Sequence, residues 1–126
     1  MSTILIVEDN EKNMKLVRDI LQHRGHQTIE AATGEDGVRL AVERRPDLVL
    51  MDIQLPDIDG IAALGRIRAD RALDGTPVLA ISASVMPDEQ QKIVASGFDA
   101  FITKPINLKM FHETVQRFLE HGRRPA

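Results

Sequence analysis

Apolar residues along this chain fall into two alternating patterns. The first is a short continuous run, as a strand buried on both faces requires. "TILIVE" (Thr3–Glu8), "DLVLM" (Asp47–Met51), "TPVLAIS" (Thr76–Ser82) and "AFIT" (Ala100–Thr103) read this way, with Pro77 at the tolerated start of its strand. "QTIEA" (Gln27–Ala31) is half polar and suits a sheet edge. The second pattern recurs at helical spacing. "NEKNMKLVRDILQHRG" sets Met14, Val17, Ile20 and Leu21 on one face, with Asn10 as cap and Gly25 as stop. "GEDGVRLAVERR" turns Val38, Leu40, Ala41 and Val42 inward and is halted by Pro46. "GIAALGRIRADRAL" predicts one helix through Ile61, Leu64 and Ile67. Its Gly65 weakens it by about 1 kcal/mol relative to Ala. "MPDEQQKIVASG" predicts a short polar helix ending at Gly97. "LKMFHETVQRFLEHG" predicts a last helix with Phe111, Val115, Phe118 and Leu119 inward. Met14, Met51 and Met110 read as core or near-core, and Asp57 and Asp59 as turn formers capping the third helix.

Strand and helix thus alternate five times. That argues an α/β fold in which helices cover both faces of a parallel sheet. The first and third strands are the most apolar and belong inside; the polar second strand belongs at an edge. Right-handed crossovers then give a doubly wound five-stranded sheet of order 2-1-3-4-5, the flavodoxin-like arrangement. Its switch point, between the first and third strands, is where ligands bind.

Composition narrows the function classes. A chain of 126 residues suits one domain, and 43% hydrophobic content is enough for a core rather than a disordered chain. A net charge of −3 gives no reason to expect nucleic acid. With no cysteine, disulfides and thiolate metal sites are excluded. Four Phe, without Trp or Tyr, make a stacking platform for bases or sugars a poor expectation. No apolar run reaches membrane-spanning length and no signal-peptide pattern opens the chain, so the expected compartment is the cytoplasm. His23, His26, His112 and His121 read as surface residues, and Arg44, Arg45, Arg123 and Arg124 as solvated charge.

Chemistry gathers at the strand ends. The first strand runs into Glu8 and Asp9, the third into Asp52, the fourth into Ser82, and the fifth into Thr103, Lys104 and Pro105. Adjacent strands lie about 4.8 Å apart, so the carboxylates of Asp9 and Asp52 are expected to converge. Such crowding raises a pKa or recruits a cation. Oxygen-only donors point to a hard ion, and Mg2+ fits, with Asp9 and Asp52 as direct ligands, Glu8 direct or through water, and a loop carbonyl from Gln54. A carboxylate beside a metal can be a nucleophile toward a phosphoryl group. The three oxygens of that group would be met by the metal, the Lys104 ammonium, and the Ser82 hydroxyl with N–H groups near Ala83. Singly, each residue has a plain structural reading: Asp52 a turn former, Glu8 and Asp9 helix caps, Ser82 a satisfied hydroxyl, Lys104 a surface cation. Gathered at one rim, they read as a site.

"ILIVEDN", "DLVLMDIQLPDIDG", "VLAISAS" and "FITKPI", in this order, resemble the receiver domain of bacterial two-component response regulators, from Thr3 to about Leu119. Within that CheY-like family the likeness is greatest to a single-domain cell-division regulator, through "VEDNEKNMKL", "MDIQLP" and "KPI". The resemblance implies Asp52 as phosphoacceptor, Glu8 and Asp9 as the metal pair with the Gln54 carbonyl, Ser82 as switch hydroxyl and Lys104 as phosphate-binding cation. It also implies a cis Lys104–Pro105 peptide. One departure stands out: the second switch position, often Tyr, is Phe101, which cannot hydrogen-bond to a partner.

The expected function is a stand-alone response regulator, a signalling protein rather than an enzyme, with weak self-phosphorylation and autodephosphorylation. Residues 1–122 would form the receiver and 123–126 a tail, with no output domain. A histidine kinase or histidine phosphotransfer protein would load Asp52 with Mg2+ present. The face built from the fourth helix, fifth strand and fifth helix, with Val85, Met86 and Ile106 exposed, would then regulate a downstream protein. The unphosphorylated form is expected to be a monomer, without nucleic-acid or membrane partners. Three rival readings fit the sequence less well. A phosphohydrolase needs a second acid where Gln54 stands. A flavin carrier needs a glycine-rich loop and aromatics that this chain lacks. A receiver cut from a hybrid kinase or transcription factor is opposed by Met1 and the "GRRPA" end.

Overall fold

The computed structural model describes residues 2–83 and 86–123. Their strands are β1 (Thr3–Val7), β2 (Gln27–Ala31), β3 (Leu48–Asp52), β4 (Val78–Ser82) and β5 (Ala100–Thr103). The helices are α1 (Glu11–His23), α2 (Gly34–Arg44), α3 (Gly60–Arg68), α4 (Pro87–Ala95) and α5 (Leu108–His121). All strand pairings are parallel and the order is β2-β1-β3-β4-β5, as the patterning predicts. β3 and β4 are buried along their whole lengths, whereas β2 alternates, because only a strand at the edge has a rim exposed to water.

Alternate residues of each strand feed two cores. Leu5, Val7, Val49, Met51 and Ala80 point to one face, packed by Val38 and Ala41 of α2 and Ala63, Leu64 and Ile67 of α3. Ile4, Ile6, Leu48, Leu50, Leu79 and Ile81 point to the other, packed by Val17 and Leu21 of α1 and Phe111, Val115 and Phe118 of α5. Asn10 caps α1 by accepting from the amides of Lys12 and Asn13, and Gly25, at φ +86°, turns the chain just past its end.

Several sequence expectations are corrected. The third helix does not run through to Leu73. It ends at Arg68; Asp70 accepts from the Ala72 amide and starts a separate 3-10 turn, Arg71–Leu73, which buries Leu73. Met110 is exposed, since its neighbour Phe111 takes the inward face of α5. Val42 is exposed too, on the outer side of α2. His26 is half-buried rather than a surface residue. Ile106, read as exposed, is half-buried against the second core. Met86 is exposed, while Val85 and Arg124 lie outside the described residues. Arg123 is not free solvated charge: its Nε donates to Asp99 Oδ1 at 2.9 Å and its Nη1 to the Asp74 carbonyl at 3.0 Å.

Candidate phosphoacceptor and metal site

The parallel sheet aims every strand's carboxyl end at one rim, which is why residues far apart in sequence meet there. Glu8 follows β1 directly; its amide donates to the Ala31 carbonyl at 2.9 Å, so the backbone is still held by the sheet when the side chain enters the rim. Asp52 is the last residue of β3 and pairs in register with Ile81. Glu8 and Asp52 are both buried, at 3% and 4% exposure, and Asp9 is exposed. One oxygen from each of these three carboxylates lies within 4.8 Å of the others.

Lys104 lies between the two buried acids. Its ammonium donates to Asp52 Oδ2 at 2.9 Å and to Glu8 Oε1 at 3.1 Å. The other oxygens are used as well: Asp52 Oδ1 accepts from the Gln54 amide at 2.9 Å and Glu8 Oε2 from the Asn10 amide at 3.2 Å. Burial, the hydrogen bond with Asp52 and the nearby Asp52 charge push the Glu8 carboxyl up to about 7, against the pull of the Asn10 amide and Lys104. Burial pulls the Lys104 ammonium down, but its bonds to Asp52 and Glu8 outweigh this and the net direction is up. Two buried carboxyl groups thus share one ammonium, and a bound cation would favour the ionised form of both.

Lys104 reaches this position because its amide donates to the Ser82 carbonyl at 2.9 Å, continuing the β4–β5 ladder past Thr103. The peptide it makes with Pro105 is cis, as the resemblance implies. Ser82 is buried at the end of β4 and lines a neighbouring groove with Ala83, Gln54 and Ile53. Phe101, in register with Ala80, is half-buried against the first core. Glu8, Asp9, Asp52 and Lys104 line one cleft of about 410 Å³ together with Gln54, Leu55 and Pro56. Its donor set is all oxygen apart from one ammonium, and this suits a hard divalent ion that keeps several waters.

Two features of the surroundings are not legible in local sequence. Asp59 caps α3 as expected, accepting from the Ala62 amide at 2.7 Å. Asp57 does not: it caps α2 instead, accepting from the amides of Gly34 and Glu35, each at 2.8 Å. At the opposite end of the sheet, Asp99 accepts from Arg68, Arg123 and the Val78 amide. Neither partnership has a spacing signal, since each joins segments that only the fold brings together.

Fold and rim together define a doubly wound α/β domain with a lysine-bridged carboxylate cluster at its switch point. The chain belongs to the response regulator receiver domain family, whose profile matches residues 4–116. It is 42% identical over 117 residues to the polar-differentiation response regulator DivK of Brucella anthropi, covering 93% of this chain and 95% of that protein. Among solved structures, it resembles the receiver domain of the sensor histidine kinase PA1611 from Pseudomonas aeruginosa, which holds a magnesium ion coordinated in its active-site cleft. That match has a TM-score of 0.88 and 29% identity, and covers 94% of this chain and 98% of the other. The Vibrio cholerae chemotaxis protein CheY4 matches with a TM-score of 0.86 and 26% identity, covering 93% and 98%. The protein is therefore a receiver-type signalling protein with a CheY-like fold, similar to DivK. Among the described residues, no helix is long and apolar enough to cross a membrane.

Proposed function

We propose that Asp52 accepts a phosphoryl group from a phosphohistidine and that the chain acts as a DivK-type response regulator. One observation carries this reading: Lys104 bridges Asp52 and Glu8 at 2.9 and 3.1 Å while Asp9 completes an oxygen cluster beside them. An Asp52 oxygen forms the new P–O bond as the donor's P–N bond breaks. The bonding pair stays with the donor imidazole, which leaves neutral when its other ring nitrogen carries the proton. Glu8, Asp9, Asp52 and the Gln54 carbonyl would hold Mg2+, which when bound neutralises charge on the transferring group. Lys104 then follows the developing charge from the carboxylates to a phosphoryl oxygen, and the Ser82 hydroxyl donates to another. The added charge of about −1.5 to −2 draws Ser82 in. Phe101 turns toward the space this opens, and the face of α4, β5 and α5 changes shape. A coupling on the order of 1–3 kcal/mol is enough for such a switch.

Upstream we place a histidine kinase or histidine phosphotransfer protein, and downstream a protein that reads this face, in the cytoplasm. Residues 1–122 would act as the receiver unit, monomeric when unphosphorylated, with weak self-phosphorylation and weak autodephosphorylation. Phosphotransfer profiling against the histidine kinases of the host, with and without Mg2+, tests the reading. Label is expected on the wild type, only with Mg2+, and none on Asp52→Ala. Label retained by Asp52→Ala would overturn it.

A further inference from the structure

The functional reading leaves Asp57 without a role, yet both of its carboxylate oxygens are engaged. Oδ1 accepts from the Gly34 amide and Oδ2 from the Glu35 amide, each at 2.8 Å, across 23 and 22 positions of sequence. The next amide of α2, on Asp36, is met by Thr33 Oγ1 at 3.1 Å, so helix and loop divide the capping between them. A carboxylate at a helix N-terminus also meets the positive end of the helix dipole.

Contact is close as well as polar. A Cβ on Gly34 would lie 2.5 Å from Ile58 Cγ1, so only glycine lets the loop sit this near the helix. The loop is pinned at its base too: the Gln54 amide donates to Asp52 Oδ1, and the Gly60 amide to the Ile53 carbonyl, each at 2.9 Å. Between these pins run Gln54, Leu55 and Pro56, one wall of the acidic cleft. Beyond its base the wall is held by Leu55 and Ile58, which pack against the first core, and by the Asp57 carboxylate, its polar tie to α2.

We propose that Asp57 is a positioning residue for the phosphoacceptor cleft: by grasping the first turn of α2 it fixes the Gln54–Pro56 wall against which a divalent ion binds. The ion-binding part rests on the functional reading above, whereas the fixing of the wall does not. Arg66, whose Nη1 donates to Glu35 Oε1 at 2.7 Å, ties α3 to the same turn of α2.

Mg2+ titrations followed in amide NMR spectra test this on wild type, Asp57→Ala, Asp57→Asn and Thr33→Ala. Asp57→Ala is expected to weaken Mg2+ binding roughly tenfold, at the low end for groups that orient metal ligands. Asp57→Asn, which keeps one acceptor oxygen, is expected to fall between. Thr33→Ala removes a cap from the same helix without releasing the loop, so it should lower the urea midpoint but leave Mg2+ affinity at the wild-type value. Hydrogen exchange without metal provides the second readout: the Gln54 amide should exchange faster in Asp57→Ala and not in Thr33→Ala. If wild type takes up no Mg2+, the functional reading fails and the exchange data alone judge the wall. Unchanged Gln54 exchange in Asp57→Ala overturns the proposal. So does equal weakening of Mg2+ binding by Thr33→Ala, or unaltered binding in Asp57→Ala beside a wild type that binds.

Discussion

Lys104 Nζ lies 2.9 Å from Asp52 Oδ2, joining residues 52 positions apart in sequence into one charge pair. Because the lysine also holds Glu8, it is the counter-charge that lets two carboxylates be buried side by side. Lys104→Met removes it. Phosphoryl acceptance should fall on the order of 10²–10³-fold, the range for losing a donor aimed at developing charge. Stability should fall by about 2 kcal/mol, limited by protonation of Glu8. Rapid-quench phosphotransfer and urea titration read the two effects. A variant that accepts phosphoryl at the wild-type rate would remove Lys104 from the chemistry.

Glu8 gives the protein a pH dependence with a definite sign. Its folded-state pKa is about 7 against an ordinary 4.5, so between these values the folded chain holds a proton that the unfolded chain has lost. Its contribution is full below about pH 4.5 and is lost as pH rises through about 7. Metal-free wild type is therefore expected to lose stability relative to Glu8→Gln on going from about pH 5 to pH 7.5. Mg2+ binding should tighten over the same interval and release a proton. Urea titrations at several pH values, with calorimetry in buffers of different ionisation heat, measure both.

Asp99 is a second, half-buried charge centre, built for stability. It balances Arg68, whose guanidinium also donates to the carbonyls of Leu73 and Thr76, and Arg123 from beyond the end of α5. Asp99→Ala takes the carboxylate from Arg68 and the acceptor from the Val78 amide, and should cost about 2 kcal/mol. Arg123→Ala, at a more exposed partner, should cost about 1 kcal/mol or less. Equal midpoints for the two variants in urea would contradict this ranking.

Two glycines separate propensity from packing. Gly65 is exposed on α3 with open space where a Cβ would go, so Gly65→Ala should stabilise by up to about 1 kcal/mol. Gly37 is buried in α2, where a Cβ would stand 2.7 Å from Val7 Cγ2; Gly37→Ala should destabilise by about 1–3 kcal/mol. Thermal melts of both variants show whether the sign reverses.

Phe101 tests the coupling. It is half-buried in β5, away from the acidic cleft. Phe101→Ala is expected to accept phosphoryl at nearly the wild-type rate but to lose the change in α4 and α5 amide exchange that phosphorylation causes. An unaltered exchange response would place the switch elsewhere.

Patterning, together with right-handed crossovers, determined the order of strands and α-helices and the sheet topology. A buried parallel strand must be apolar on both faces, and an edge strand need not be; "DLVLM" and "QTIEA" differ for that reason. The convergence of Glu8, Asp9 and Asp52 was legible too, because every strand of a parallel sheet ends at the same rim. Only the tertiary structure decided what the other acids do. Asp57 and Asp59 look alike in sequence, yet one caps α2 and the other α3; Asp99 and Arg123 carry no pattern at all. A side chain's partner is set by distance in space, and local spacing specifies that distance only within an element, where the backbone's own geometry fixes it.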